Sequence, residues 1–324
     1  MKFQTRSNSC NLCPLVYILS RVIEKTIPKW IMICIKGNEG VWLIMNDIRT
    51  IQKIITGKNT IDGAGVKLIR VFGYDDTKDF DPFLMLDVFD SVDSNDYIKG
   101  FPWHPHRGME TITYLIKGDI EHGDSLGNKG SILDGECQWM TAGSGIIHME
   151  MPKPSERMLG LQLWLNLPSK DKMVAPNYHG ILKEDIPVID EGDCKIHIIG
   201  GTYNGKPGAV EGDYVKPLYL DVEVNPDSQW SLDIDKDATL FIYILQGEGS
   251  FGSVSDEFIL EKHAILFNEG NKFRVRASNK GIRFMLMSGK PLREPIAWGG
   301  PIVMNTHEEL DLAFKELDEN NFIK

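Results

Sequence analysis

Between Gly100 and Met151 the chain places two pairs of potential metal ligands, His104 with His106 and His148 with Glu150, each spaced two residues apart. In an extended strand alternate side chains share a face. Each pair can therefore aim two ligands at one point, and two facing strands would close a four-ligand site. Between the pairs lie short apolar runs (TITYLI, QWM, GII) punctuated by Gly118, Gly123, Gly127, Gly130, Gly135, Gly143 and Gly145. Runs of that length joined by glycine turns predict short strands, closed as a small β-barrel or jelly roll around the ligands. A lone strand histidine is usually an ordinary core or surface group; two matched pairs at opposite ends of one β segment predict a bound metal. Three imidazoles and a carboxylate, with no thiolate, suit iron, manganese, nickel, copper or zinc over calcium or magnesium. An octahedral ion with four protein ligands keeps two positions open, as a catalytic rather than a structural site requires.

The blocks HPHRGMETITYLIKGDIEHGDSLGNKG and QWMTAGSGIIHMEMP, in that order, resemble the pirin family of the cupin superfamily. The resemblance runs on through GLQLWLNLP and PLREPIAWGGPIVMNTHEEL and covers the chain from about Asp47 to its end. It implies an all-β fold of two tandem cupin (jelly-roll β-barrel) domains with a short C-terminal helix. It also implies a metal held by His104, His106, His148 and Glu150. Many cupins use the glutamate that follows the first histidine pair, here Glu110, as a ligand. Pirins resemble one another in using the later carboxylate, so Glu110 is expected to buttress the ligands without binding the metal. Fe(II) is the expected divalent ion, with Cu, Ni or Mn as alternatives.

A net charge of −11 argues against a surface that neutralises nucleic-acid phosphates or binds an anionic membrane. Hydrophobic content of 42% and 25% charged residues are those of a globular protein. The five cysteines are too few and too scattered for a disulfide framework, which fits a cytoplasmic protein.

Residues 1–45 read as an N-terminal extension. They hold Cys10, Cys13 and Cys34 and no glycine before Gly37. Without a second pair, Cys10 and Cys13 are weak evidence for zinc or redox chemistry. Arg21, Glu24, Lys25 and Lys29 interrupt the apolar run, which argues against a membrane span, and the lack of a clear cleavage pattern argues against a secretory signal. The segment is an amphipathic helix, a lineage-specific extension or the product of a misplaced start. Because MNDIRTIQKI from Met45 resembles a pirin N terminus, the misplaced start is preferred.

Residues 46–178 form the expected metal-binding domain. In Leu159–Leu167, leucines at alternate positions define one core-facing side. Residues 179–324 form a second β domain, in which IYILQGEGSFG echoes TYLIKGDIEHG. Superposing Gly118 on Gly247 sets Asp233 and Asp235 where the first domain has His104 and His106. Superposing Gly143 on Gly270 sets Val275 and Ala277 in place of His148 and Glu150, so this domain is expected to hold no metal. His263 is isolated, and His122, His179, His197 and His307 have no ligand spacing. The tail HEELDLAFKELDEN predicts a helix capped by Asn305 or Thr306, with Leu310, Ala313, Phe314 and Leu317 on one face.

Trp103, Trp139, Met140, Met149 and Met151 flank the ligands in sequence and predict a flat apolar ligand, or equally an ordinary core. Arg107 could orient a carboxylate or an anionic substrate, although a structural ion pair is the commoner use of such an arginine. The pirin resemblance implies a dioxygenase that cleaves flavonols such as quercetin with O2, with Glu150 as ligand and proton acceptor. The alternative is a non-catalytic, redox-sensing regulator in which the metal tunes a surface for a protein partner. An isomerase or storage cupin is a third reading, disfavoured for storage by the filled ligand set.

Overall fold

The computed structural model describes residues 33–37, 40–44, 48–252 and 257–324. The Cys10–Cys13 pair and the restart at Met45 lie outside these residues. Ile33–Gly37 and Gly40–Ile44 pair as an antiparallel hairpin, in a unit separate from Arg49–Lys324.

Within Arg49–Lys324 the glycine-punctuated runs become strands of two sheets. A four-stranded sheet runs Lys129–Ile132, Ile120–Asp124, Ile146–Pro152, Phe101–His106. A seven-stranded sheet runs Asn177–Ile181, Cys137–Thr141, Met109–Lys117, Met158–Asn166, Phe83–Ser91, Val66–Phe72, Lys58–Asp62. Alternation along Met158–Asn166 sorts its side chains. Leu161, Leu163 and Leu165 are fully buried in a core shared with Tyr219, Phe241, Met285 and Met287 of the second half. Burying each such leucine contributes roughly 1.5–3 kcal/mol. Gln162 and Trp164, on the opposite face, look toward the four-stranded sheet. The seven-stranded sheet thus has one face on the second half and the other on the strands that carry His106 and Glu150.

The second half is built on a nine-stranded antiparallel sheet around the long strands Thr239–Phe251 and Lys272–Gly289. Val275 and Ala277 lie in its apolar core. Asp233 is exposed and pairs with Lys272, and Asp235 pairs with Lys290.

The two ends of this unit cross over. Ile51–Ile55 pairs with Ala264–Phe267 and so extends the later sheet. Buried Arg49 secures the crossing by donating to the carbonyls of Gly270, Asp235 and Ala238 at 2.7, 2.7 and 2.8 Å. In return, the hairpin Ala297–Gly299/Ile302–Met304 lies along the first half, where Ile302 bridges Arg107. Phe101–His106 is an edge strand of its sheet, and an edge needs cover for its unpaired backbone groups. The helix His307–Asp318 follows, capped by Thr306 in a capping box with Glu309. Leu310 and Ala313 are buried against the hairpin, while Phe314 covers Gly299.

Candidate metal centre

His104 and His148 stand directly opposite one another on neighbouring antiparallel strands, and His106 lies two residues along on the same face. Cross-strand and diagonal neighbours of this kind are within side-chain reach. The ring centroids are 4.4 Å apart for His104–His148, 4.9 Å for His104–His106 and 5.0 Å for His106–His148. One ring nitrogen from each lies within 4.8 Å of the other two.

Hydrogen bonding selects the tautomers. His104 Nδ1 is 2.8 Å from the Pro102 carbonyl and His106 Nδ1 is 3.2 Å from the Pro301 carbonyl. A carbonyl only accepts, so each Nδ1 carries the proton and each Nε2 keeps its lone pair. His106 Nε2 and both ring nitrogens of His148 are buried without a partner. Orphaned buried nitrogens are costly unless something satisfies them, and converging lone pairs are what a transition metal takes. Burial, reinforced by the neighbouring His104, pushes His106 down to about 3. Burial, with the neighbouring histidines, pushes His148 well below the imidazole range. Both rings are neutral and ready to ligate. The donor set fits a divalent transition metal.

Glu150 lies outside the group of mutually close ligand atoms. A bulge shifts the register between His148 and Glu150, placing Glu150 opposite Phe101. Its carboxylate is buried and accepts from Thr113 Oγ1 at 3.1 Å and from Gln162 Nε2 at 3.0 Å. Each oxygen has one hydrogen bond, which leaves lone-pair capacity free. His122, to which the sequence attached no role, pairs in register with Glu150 and is fully enclosed. Its ring is 5.7 Å from that of His148 and stacks on Tyr178 at 4.6 Å, with Nε2 3.2 Å from Asp124 Oδ2.

A cleft of about 1200 Å³ opens on the histidines, with His104, His106, Gln162, Trp164, Trp298 and Pro301 in its wall. Aromatic rings lead inward. Tyr74 and Trp298 are 5.6 Å apart, Trp298 and Trp164 5.8 Å, and Trp164 and His106 5.2 Å. Tyr74 is exposed, so the series runs from solvent to His106. Across the cleft Arg70 forks to Asp87 at 2.9 and 2.7 Å and reaches Asp62 at 2.7 Å. Burial raises the Asp87 carboxyl, against the pull of Arg70.

Two family matches cover most of this framework: Pirin over residues 65–165 and the Pirin C-terminal cupin domain over residues 219–323. A pirin-like protein of Caulobacter vibrioides is 39% identical over 278 residues, 85% of this chain and 99% of that protein. The chain belongs to the pirin family. A pirin-like protein of Solanum lycopersicum is likewise 39% identical, over 85% of this chain and 94% of its own. The crystal structure of a quercetin 2,3-dioxygenase from Acinetobacter baumannii superposes with a TM-score of 0.77 at 30% identity, covering 85% of this chain and 98% of that one. The pirin fold here is mostly β, with two cupin-type domains and a short C-terminal helix. Among the described residues no helix is long and apolar enough to cross a membrane.

The structure decides the other expectations drawn from this pirin sequence, overturning the one for Glu110 and sustaining the structural ion pair for Arg107, which meets Glu316. Glu110 sits on the opposite face of the seven-stranded sheet, accepting from Thr141 Oγ1 at 2.6 Å, and does not support the ligands. Trp139 shares that face, against Gly200 of the second half. Met149 and Met151 alternate out of phase with Ile146, His148 and Glu150 and point outward. Met140 is core, packed with Ala142 and Ile146. Trp103 is half-exposed at the cleft rim. Arg107 is buried away from the cleft. The cleft instead uses Trp164, Trp298, Gln162 and Arg70. For the first and third of these a signal was available: they occupy the positions between the leucines of Leu159–Leu167.

Proposed function

We propose that this pirin is a metal-dependent dioxygenase that cleaves flavonols such as quercetin with O2. The carrying observation is the convergence of three imidazoles, two of them buried with orphaned nitrogens, at the end of an aromatic-walled cleft. His104, His106 and His148 are the metal ligands and Glu150 the fourth. One divalent ion is held per chain, Fe(II) foremost, with Cu, Ni or Mn as alternatives, and none by the second domain.

When bound, the metal supplies Lewis acidity and a redox-active centre. Trp164 and Trp298 offer flat faces to a polycyclic phenol and orient its reacting ring toward His104 and His106. Glu150 takes the proton of the flavonol hydroxyl as it ionises. Gln162 and Thr113 hold that carboxylate from behind by donating to its two oxygens. The wall around Trp164 and Met85 is apolar and screens the reacting ring from water.

The test is oxygen uptake with a panel of phenolics after anaerobic loading with each of iron, copper, nickel and manganese. Consumption with flavonols supports the reading; none with any flavonol at full loading would overturn it. The regulatory reading then takes its place. It is favoured by the contact of His106 with Pro301, which joins the ligands to the C-terminal segment, and a protein partner whose capture depends on metal oxidation state would establish it.

A further inference from the structure

Arg107 directly follows a ligand, yet its side chain turns from the cleft into the C-terminal segment. Nε donates to the Ser144 carbonyl, Nη1 to Glu316 Oε2 and Nη2 to the Phe322 carbonyl, each at 2.7 Å. The guanidinium lies 4.2 Å above the Phe322 ring. The backbone carbonyl of Arg107 accepts from Val303 N at 3.0 Å. Lys172 Nζ ties the neighbouring Gly108 carbonyl to that of Val303, at 2.8 and 2.9 Å. Ser144 sits in the turn that begins the His148 strand. One buried guanidinium therefore joins the end of the His106 strand, the start of the His148 strand, the C-terminal helix and the tail.

We propose that the segment from Ala297 to Lys324 is a positioning device for the metal. Through Arg107 it holds the His106 and His148 strands at ligating separation and sets how tightly and how long the metal is bound. This rests on the metal reading above. A planar guanidinium with three acceptors and an aromatic face is rigid where a lysine would not be. The hairpin it anchors carries Pro301, whose carbonyl fixes the His106 tautomer. Groups that orient ligands from behind typically change metal affinity by about 10–100-fold.

The test uses the full chain and Co2+ as probe, measuring affinity and the rate of loss to a chelator, with the melting temperature of the metal-free protein alongside. Glu316→Ala and Arg107→Lys should each release Co2+ roughly 10-fold faster and bind it roughly 10-fold more weakly, on the scale of other ligand-orienting groups. Glu316→Gln, whose amide oxygen can still accept from Arg107, should restore wild-type behaviour to within about 2-fold, since the bond from the charged guanidinium is kept and only the carboxylate charge is lost. Leu312→Ala, exposed on the same helix, should leave both quantities unchanged. If Glu316→Ala and Phe322→Ala lower the melting temperature but bind and release Co2+ as wild type does, the segment is only structural and the proposal falls. A wild type that binds neither Co2+ nor any other divalent metal overturns the metal reading itself, a distinct result.

Discussion

Glu110 Oε1 accepts a 2.6 Å hydrogen bond from Thr141 directly across the strand pair, on the sheet face turned away from the histidines. Its other oxygen is buried without a partner. Burial dominates and lifts this carboxyl to about 7, with Thr141 opposing. The folded protein then binds more protons than the unfolded chain between about pH 4.5 and 7, so stability falls as pH rises through that window. Glu110→Gln should remove that slope. Its advantage over wild type should grow from pH 4.5 to 7, level off above 7, and reach about 3 kcal/mol at most. Urea unfolding of both metal-free proteins across that range checks it. Metal affinity should not change.

His106→Ala should abolish stable metal binding, because a buried ligand is lost and the remaining nitrogens do not close the site. Glu150→Gln should keep some metal when it is supplied in excess, since three imidazoles remain, yet lose turnover by about 100-fold or more. Metal analysis and oxygen uptake on the same samples separate the two effects. A metal-loaded Glu150→Gln that oxidised flavonols at the wild-type rate would refute the base role.

The buried imidazoles also set an acid limit. His106 is depressed to about 3 and His148 lies below the usual range, each chiefly by burial. The unfolded chain therefore binds more protons than the fold between about pH 6.5 and 3. Their contribution to stability is full above 6.5 and fades as pH falls through that window. Metal-free protein should lose stability steeply there, and metal should slow the loss because it binds the same neutral nitrogens. Acid melts with and without metal measure both.

Trp298→Ala should weaken flavonol binding by roughly 10-fold, from lost stacking and lost area, with a smaller change in the rate at saturation. Binding titrations beside saturation kinetics separate the two. An equal fall in both constants would point to collapse of the hairpin rather than loss of a binding face.

Asp221 is fully buried and accepts from Arg283 at 3.0 and 2.7 Å and from Tyr114 of the first half at 3.0 Å. Asp221→Ala leaves Arg283 only the longer, more exposed pairing with Glu223 and removes the acceptor of Tyr114, and should cost roughly 2–3 kcal/mol. A fall in the urea midpoint larger than that of Glu223→Ala would show it.

What the sequence determined by itself is local. Alternation every two residues already aimed His104 with His106 and chose the buried side of Leu159–Leu167, because strand geometry alone dictates it. The helix cap was legible to within one residue, Asn305 or Thr306, and the structure chose Thr306. The sequence set the two histidine pairs on two facing strands; the structure makes those strands hydrogen-bonded neighbours in one sheet, with His104 opposite His148. Three features belonged to the tertiary structure. A bulge, which depends on the facing strand, sets Glu150 opposite Phe101. Gly108 turns the chain from one sheet to the other with φ of +75°, where a Cβ would meet the Val303 carbonyl at 2.0 Å. Counting faces from His106 to Glu110 therefore fails across it. The crossed ends place Pro301 against His106, a contact between residues nearly two hundred positions apart, and Trp298 beside Trp164. Local periodicity carries no information about such pairings, because only packing the two halves and covering the exposed sheet edge brings them together.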